Sequence, residues 1–378
     1  MSRTEPAATT RIVGIEAFLV RLPLVHARAR KSASRDRPRF ARHALVRVTD
    51  RDGAAGWGEV PDVDTALWQA LVEEHGPALL RHSWKRPTEV EDAFTGLGDL
   101  PAVRAGLDTA CWDLWSGKRG TPLSHALGGN RTAVTAGVTL ARQPSEESLV
   151  REVNRHVGSG FQRVRLDVEP GWDVEPVRAV QERFPFLVLQ ANAEGRYTEE
   201  TADLEALRAL DSYGLLAIEQ PFPAPDLAAH ARLRRELRTP VALNTSVASL
   251  ADLDEAIRQE AGGALNVRMS RLGGLTQARR AHDRAVDAGW DVWCGSDGES
   301  GLGRASLVAL ASLPGVTLPS EMPGAGGRFS RETAQPPVRA QDGVVPVPLT
   351  RPGAGHDVDR KALDALTERS ATVGSPAG

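Results

Sequence analysis

Between about residues 134 and 320 the chain alternates short apolar runs with amphipathic stretches of helical period. The apolar runs are "VTAGVTL", "RVRLDV", "FLVLQANA", "LLAIEQP", "PVALNTS", "ALNVRMS", "DVWCGS" and "GVTLPS". Between them, stretches such as "SEESLVREVNRHV" and "LTQARRAHDRAVDAG" repeat their apolar residues every three or four positions, which is typical of helices packed on one face. Eight strands separated by helices predict an α/β fold built around a parallel (β/α) barrel.

The chain on either side of this region has a different pattern. Residues 11–60 predict strands, and "HALVRVTDRDGAAGWGEV" has the Gly-containing turn of a β-hairpin. Residues 62–128 predict helices. After residue 323 the chain is rich in Gly and Pro, which predicts irregular structure with one short strand. We expect the last residues, "RSATVGSPAG", to be frayed.

Composition narrows the class of protein. The 378 residues include 41% hydrophobic and 25% charged residues, as in a globular protein. A net charge of −3 argues against a nucleic-acid partner. The two cysteines, Cys111 and Cys294, lack metal-type spacing and suit a reducing compartment. With no signal-peptide pattern and no apolar run of membrane-spanning length, we predict a cytoplasmic protein without a membrane partner.

Candidate chemistry lies where the predicted barrel strands end. The polar residues at five of these ends are separated by 24 to 27 residues: Asp167, Asn192, Glu219, Asn244 and Arg268. One βα unit per step predicts that all five point inward at the same level of the barrel, where barrel enzymes carry their chemistry. Arg165 lies two residues before Asp167 and shares its strand face. Each residue taken alone could simply end a strand, but five in register predict a site.

Several longer motifs resemble one known family. They are "GWGEV", "CWDLWSGKRGTPLSHALGG", "EPGWD", "LLAIEQPF", "RLGGLTQARRAHD", "VWCGSDGESGLGRASLVALASLP" and "DGVVPVP". In this order they resemble the enolase superfamily, in its muconate-lactonizing subgroup and its o-succinylbenzoate synthase / N-succinylamino acid racemase family. The resemblance implies a (β/α)₇β barrel over residues 134–323 and an α+β capping domain over 1–133, completed by 324–378. It also implies a homo-oligomer, because family members are commonly oligomeric.

The resemblance fails at the lysines that act on the substrate. The family carries a Lys-x-Lys pair on the second barrel strand, where this chain has Arg165-Leu166-Asp167. The opposing lysine of the sixth strand corresponds to Arg268 in "NVRMS". Arginine is effectively always protonated, so Arg268 cannot act as a base. It could instead bind a carboxylate or stabilise a developing oxyanion.

The resemblance also fails at the metal ligands. The family binds Mg²⁺ through Asp, Glu and Asp on strands three, four and five, and the matching residues here are Asn192, Glu219 and Asn244. Two amides in place of carboxylates remove two of three negative charges, so we expect Mg²⁺ binding to be weak or absent and no other cofactor. One alternative is a relocated metal site formed by Glu194, Glu219 and Asp297.

The acid/base candidates are Asp167, Glu219 and Asp297, and Asp167 could act as the base. An aspartate that faces Arg165 or Arg268 would have a lowered pKa, which would make it a poor base. The alternative is that this pair merely forms a salt bridge at the mouth of the barrel. The candidate catalytic residues are Asp167, Arg268, Arg165, Glu219 and Asp297, and the candidate ligand-binding residues are Asn192, Asn244, Glu194, Glu299, Thr139 and Ser296.

One further segment, residues 26–43, carries seven Lys or Arg residues against one Asp. It corresponds to a mobile loop of the family, and it could be a basic lid that attracts an anionic ligand or a solvated loop.

Three functions remain open at this point. The first is a lyase or isomerase that acts on a small carboxylate through metal-independent acid/base chemistry. The second is a non-catalytic paralogue that binds a ligand or a partner protein. The third is conventional o-succinylbenzoate synthase or racemase activity with amide ligands to the metal.

Overall fold

The computed structural model describes residues 9–25, 39–324 and 327–375. Its strands are β1 (Thr10–Pro23), β2 (Phe40–Asp50), β3 (Ala55–Val60), β4 (Ser83–Trp84), β5 (Ala133–Leu140), β6 (Arg163–Asp167), β7 (Val188–Asn192), β8 (Ile218–Glu219), β9 (Val241–Leu243), β10 (Ala264–Arg268), β11 (Asp291–Gly295), β12 (Ser320–Glu321), β13 (Ala334–Gln335), β14 (Val344–Pro346), β15 (Asp357–Val358) and β16 (Thr367–Gly374).

The α-helices are α1 (Thr65–Gln69), α2 (Gly76–Arg81), α3 (Pro101–Lys118), α4 (Leu123–Leu127), α5 (Glu146–Val157), α6 (Val174–Arg183), α7 (Thr201–Leu210), α8 (Leu227–Glu236), α9 (Leu250–Arg258), α10 (Met269–Leu272), α11 (Leu275–Asp287), α12 (Gly301–Ala311) and α13 (Arg360–Leu366). Shorter helical turns are a π-helical turn, Ala70–His75, and the 3₁₀ segments Pro87–Phe94 and Asp211–Tyr213. Within the described ranges, none of these helices has the length and apolar character needed to cross a membrane.

Strands β5 to β12 confirm the predicted parallel barrel. They are hydrogen-bonded in the order β11-β10-β9-β8-β7-β6-β5-β12, and β12 lies next to β11, where Cys294 N donates to Ser320 Oγ at 3.1 Å. The barrel floor is apolar, with Trp293 and small alanines such as Ala217 and Ala242 fully buried together. Small residues around one tryptophan fill the narrow interior, so the polar side chains above them pack on a close-packed apolar layer.

The capping domain is an antiparallel sheet ordered β16-β1-β2-β3. The short strand β4 pairs with the start of β1, at Thr10 and Arg11. Helix α3 packs closely on β3 because "GWGEV" supplies two glycines. A Cβ at Gly56 would lie 2.3 Å from Ala110 O, and one at Gly58 would lie 2.0 Å from Gly106 O. Larger residues at these positions would push α3 off the sheet.

Glu59 of the same motif joins the cap to the barrel. This fully buried carboxylate accepts hydrogen bonds from Ser300 N, Ser300 Oγ and Gly303 N, each at 2.7 Å. His43 Nδ1 lies 2.5 Å from its other side. Burial opposes ionisation of Glu59, but His43 and the Ser300 donors bring its pKa below the usual value. The carboxylate therefore stays charged and holds the start of α12 against β2 and β3.

The C-terminal segment is more ordered than its Gly- and Pro-rich sequence predicts. The prediction that residues 369–378 fray is wrong for residues 369–374, because these residues pair with β1 in the register Ala371↔Ala17. The pairing satisfies their backbone groups, and Ala371 and Val373 pack on the cap core. Another part of the segment, β14, pairs antiparallel with β5 of the barrel.

Arg304 on α12 anchors this returning chain. Its guanidinium pairs with Glu332, and both side chains are almost fully buried. Its other nitrogens donate to Glu299 O at 2.7 Å and to Val338 O at 3.1 Å. A single buried side chain thus fixes a barrel helix, the loop after β11 and the C-terminal segment.

The variant Arg304→Ala tests this anchor, because it leaves the Glu332 carboxylate buried without its partner. We expect the free energy of unfolding to fall by about 3–5 kcal/mol, measured by urea denaturation. As a control, Arg258→Ala breaks the exposed Arg258–Glu255 pair and should change it by less than about 1 kcal/mol. Equal small losses for the two variants would contradict the anchoring role.

Candidate active site

The polar residues at the strand ends form a ring in register. Asp167 is paired with Asn192, and Asn192 with Glu219, in adjacent parallel strands. Asn244 directly follows β9, and Arg268 ends β10. Because β6 and β10 are four strands apart in an eight-stranded barrel, Asp167 and Arg268 lie on opposite sides of the mouth.

Glu219 is fully buried at the centre of the ring, and both of its carboxylate oxygens accept hydrogen bonds. Arg165 Nη1 donates to Oε2 at 2.7 Å and to Oε1 at 2.9 Å. Asn244 Nδ2 and Asn266 Nδ2 each donate to Oε1 at 2.7 Å, and Gln190 Nε2 donates to Oε2 at 3.0 Å. A carboxylate offers about four lone-pair sites, so five hydrogen bonds leave Glu219 no free site for a metal ion.

Sequence reasoning missed Gln190 and Asn266, although a signal for both exists. Gln190 lies two residues before Asn192, and Asn266 two before Arg268. Residues two apart on a strand share a face, so both had to point into the barrel below residues already selected.

Arg165 is held by a second carboxylate as well. Its Nη2 donates to Glu321 Oε2 at 3.4 Å, and its Nε donates to Thr139 Oγ1 at 2.9 Å. Burial alone would lower the pKa of Arg165, but Glu219 and Glu321 raise it well above its ordinary value. Burial would likewise raise the pKa of Glu321, yet Arg165 and Arg268 bring it to about 2. Glu321, at the end of β12, was missed because that strand has only two residues.

Beneath Arg165 lies a second guanidinium. Arg163 points into the barrel from the same strand and is 1% exposed. In the described part of the chain none of its three side-chain nitrogens has a hydrogen-bond partner. Burial and the neighbouring Arg165 lower its pKa to about 10. The lower barrel therefore holds a positive charge that lies out of reach of the mouth.

Asp167 stands apart from the arginines. Its Oδ1 accepts from Asn192 Nδ2 at 2.7 Å, and the same nitrogen donates to Glu194 Oε1 at 3.2 Å. Burial, reinforced by Glu194, raises the pKa of Asp167 to about 6, although Asn192 and Arg165 oppose the shift. The prediction of a lowered pKa is wrong, because burial outweighs the opposing effect of Arg165, whose guanidinium is turned toward Glu219.

The opposite side of the mouth is basic. Arg268 Nη1 donates to Ser296 O and, at 3.2 Å, to Asp297 Oδ1. Arg271, on the short helix α10, donates from Nη1 to Asn244 Oδ1 at 2.5 Å. Sequence reasoning missed Arg271, although its position three residues after Arg268 placed it on the first turn beyond the strand.

Glu299 supports the loop after β11 rather than facing the mouth. Its Oε2 accepts from Ser296 Oγ at 2.5 Å and its Oε1 from Asp297 N at 3.1 Å. Burial and the nearby Asp297 raise its pKa to about 7. Ser296, predicted to contact ligand, uses its hydroxyl in this same support.

Most oxygen donors at the family's metal positions are already bonded to protein groups. Asn244 Oδ1 faces Arg271, and the oxygens of Glu219 are taken, which leaves Asn192 Oδ1 as the one family-type donor without a hydrogen bond among the described residues. In the described ranges no three His, Cys, Asp or Glu side chains come together as a metal site. The relocated site of Glu194, Glu219 and Asp297 does not form, because each of these acids pairs with a different arginine.

The basic segment predicted as a lid lies largely outside the described residues. Of residues 26–43 the structure describes 39–43. Here Arg42 Nε donates to Glu368 Oε2 at 2.8 Å, which ties the end of the segment to the C-terminal strand β16.

Comparison with known proteins agrees with this architecture. The family model "Enolase C-terminal domain-like" matches residues 148–362. The chain is 36% identical over 333 residues to an o-succinylbenzoate synthase from Geobacillus kaustophilus, covering 86% of this chain and 88% of that protein. It is 34% identical to an N-succinylamino acid racemase from Amycolatopsis sp. over 375 residues, covering 97% of this chain and 100% of the racemase. A crystal structure of an enolase-superfamily member from Enterococcus faecalis V583 superposes with a TM-score of 0.88 at 30% identity, covering 97% of this chain and 100% of that one. The chain therefore belongs to the enolase superfamily.

Proposed function

We propose that the barrel mouth binds a small carboxylate and transfers a proton without a divalent metal, as an isomerase or lyase. The observation that carries this proposal is the contact of Arg165 Nη1 with both carboxylate oxygens of Glu219, at 2.7 and 2.9 Å. A guanidinium holds the carboxylate that would otherwise ligate a cation. The positive charge needed near the reacting group then comes from the protein itself.

The basic side of the mouth suits a carboxylate ligand. Arg268 is the last residue of β10, and Arg271 lies three residues later on α10. Both side chains are partly accessible. Guanidinium groups bind carboxylates through paired, charge-assisted hydrogen bonds. Fixed N–H donors also stabilise negative charge that develops during proton removal. These two arginines therefore serve as the anchor and as the electrostatic stabiliser.

Asp167 serves as the acid/base group. Its Oδ1 is fixed by Asn192 at 2.7 Å, and in the described part of the chain its Oδ2 accepts no hydrogen bond. A pKa of about 6 lies near neutral pH, where a general base works best. Since Asp167 faces the arginines across the mouth, a ligand anchored on them is brought toward Oδ2. Asp167 Oδ2 takes the proton and returns it.

A second candidate function is the conventional reaction of the relatives. It is favoured by the 36% identity to an o-succinylbenzoate synthase and by the 34% identity to an N-succinylamino acid racemase. Their names make N-succinylamino acids and o-succinylbenzoate formation the first activities to assay. The non-catalytic alternative predicts binding without turnover.

The role of a metal is tested by hydrogen exchange in D₂O. N-succinylamino acids are incubated with protein stripped by EDTA, with and without added Mg²⁺, and the α-hydrogen is followed by NMR. We expect exchange that Mg²⁺ does not change, and a loss of about 100-fold or more in Asp167→Asn. The control Glu205→Gln, exposed on α7, should behave as the wild type.

Each other outcome of this assay selects a different function. Exchange or o-succinylbenzoate formation that requires Mg²⁺ would support the conventional reaction and end the metal-free proposal. Tight binding of a carboxylate with no exchange would favour the non-catalytic alternative.

The pH dependence of exchange tests the identity of the base. Asp167 must be deprotonated to accept a proton, so the rate should rise with pH and level off above about 6, the pKa of Asp167. In Glu194→Gln a neighbouring negative charge is lost, and the rise should move to lower pH. A rate that does not change between about pH 5 and 8, or a shift to higher pH in Glu194→Gln, would exclude Asp167 as the base.

A further inference from the structure

Most charged side chains around the mouth are paired with each other. Within 4.0 Å, oppositely charged groups meet in the pairs Arg165–Glu219, Arg268–Asp297 and Arg196–Glu194. In the described part of the chain, Asp167 and Arg271 have no oppositely charged partner at this distance. Both side chains are partly accessible. Within the described ranges the mouth thus presents an unpaired carboxylate on one side and an unpaired guanidinium on the other.

Two other unpaired charges near the mouth are out of reach of a ligand. Arg163 and Glu299 also lack ion pairs in the described ranges, but each is only 1% exposed. Arg163 lies below Arg165, and Glu299 lies behind Ser296. Neither can meet a ligand without rearrangement.

The two accessible charges lie on opposite sides. Asp167 ends β6, next to β7, whereas Arg271 follows β10 and contacts Asn244 at the end of β9. Arg328, from the C-terminal segment, reinforces the basic side, since a Cβ on Gly298 in the loop after β11 would lie 2.0 Å from its Nη1. The acidic side is reinforced by Glu194, which shares the Asn192 amide with Asp167. A ligand across the mouth therefore meets negative charge at one end and positive charge at the other.

The acidic side of the mouth suits a positively charged donor. Asn192 Nδ2 is committed to the carboxylates of Asp167 and Glu194, and at 1% exposure Asn192 does not itself reach a ligand. Asp167 is the carboxylate on this side that forms no ion pair in the described ranges. An ammonium group carries three donors and a positive charge, so it suits this carboxylate. An acylated amine offers one N–H and no charge.

We infer that the ligand of this mouth is a zwitterion, an amino acid with a free ammonium group, whose carboxylate meets Arg271 and Arg268 and whose ammonium meets Asp167. The inference rests on the proposed function, because that function supplies the carboxylate. It adds that a free amine is bound in preference to an acylated one.

Calorimetry with matched ligand pairs tests the inference. The probes are L- and D-alanine, leucine, phenylalanine and glutamate, each free and N-acetylated, titrated into the full-length wild-type protein at about pH 7.5, where Asp167 is ionised. A charge-assisted hydrogen bond gained by the free amine should make at least one free amino acid bind about 10- to 100-fold more tightly than its N-acetyl form. This comparison needs no variant and no folding control.

Variants then assign the preference to residues. Asp167→Asn should remove the preference for the free amine and leave binding of the N-acetyl form within about twofold, because only the charge on the acidic side is lost. Arg271→Gln should weaken both forms by similar factors of about 10, since both carry the carboxylate. Glu205→Gln should change neither, and thermal unfolding of each variant confirms that it is folded.

The remaining outcomes separate the two proposals. If an N-acetyl form binds as well as or better than its free amino acid, the zwitterion inference is wrong while carboxylate binding at the mouth stands. A free-amine preference that persists in Asp167→Asn would also overturn it. If no probe of either kind binds, and no N-succinylamino acid binds either, the proposed function falls together with the inference.

Discussion

The ion pair between Arg165 and Glu219 organises the barrel interior. A carboxylate that is 0% exposed could not stay charged in this position without a cation and several donors around it. Arg165 supplies the cation from β6, and amides from β7, the end of β9 and β10 supply the remaining donors. Side chains from different strands are thereby fixed by one acceptor. The ring above the apolar floor is ordered because these groups depend on a shared partner.

This arrangement also explains how charge is distributed at the rim. Arg165 is saturated by Glu219 and Glu321, so it does not neutralise Asp167 in its own strand. Asp167 is left with burial as the dominant influence, and its pKa rises to about 6. On the far side Arg268 donates from Nη1 to the loop after β11. The chemistry available at the mouth is therefore set by which charges are already used in holding the barrel together.

The strand pattern and the spacing of polar residues were sufficient to predict the barrel and the residues that end its strands. Both signals are local, since a two-residue period and a repeat of one βα unit can be read along the chain. The pKa of Asp167 could not be predicted in the same way. The direction of the pKa shift depends on where the Arg165 side chain points. Arg165 points toward Glu219, two strands away, because it donates hydrogen bonds to that carboxylate. The same limit applies to Glu321, which lies 156 residues from Arg165 in sequence, and to Thr367–Gly374, whose order comes from pairing with β1.

The position of β16 has a consequence for how this protein is made. Its pairing with β1 joins two strands that are separated by residues 24–366, which are synthesised in between. Until β16 has been synthesised, one long edge of β1 has no neighbour over Gly14–Val20, and unpaired strand edges are sites of aggregation. Domains generally fold as they emerge, so the barrel forms before the cap sheet can close. The cap sheet is thus started before the barrel and completed after it, and a chain cut before β16 would present an open sheet above a finished barrel.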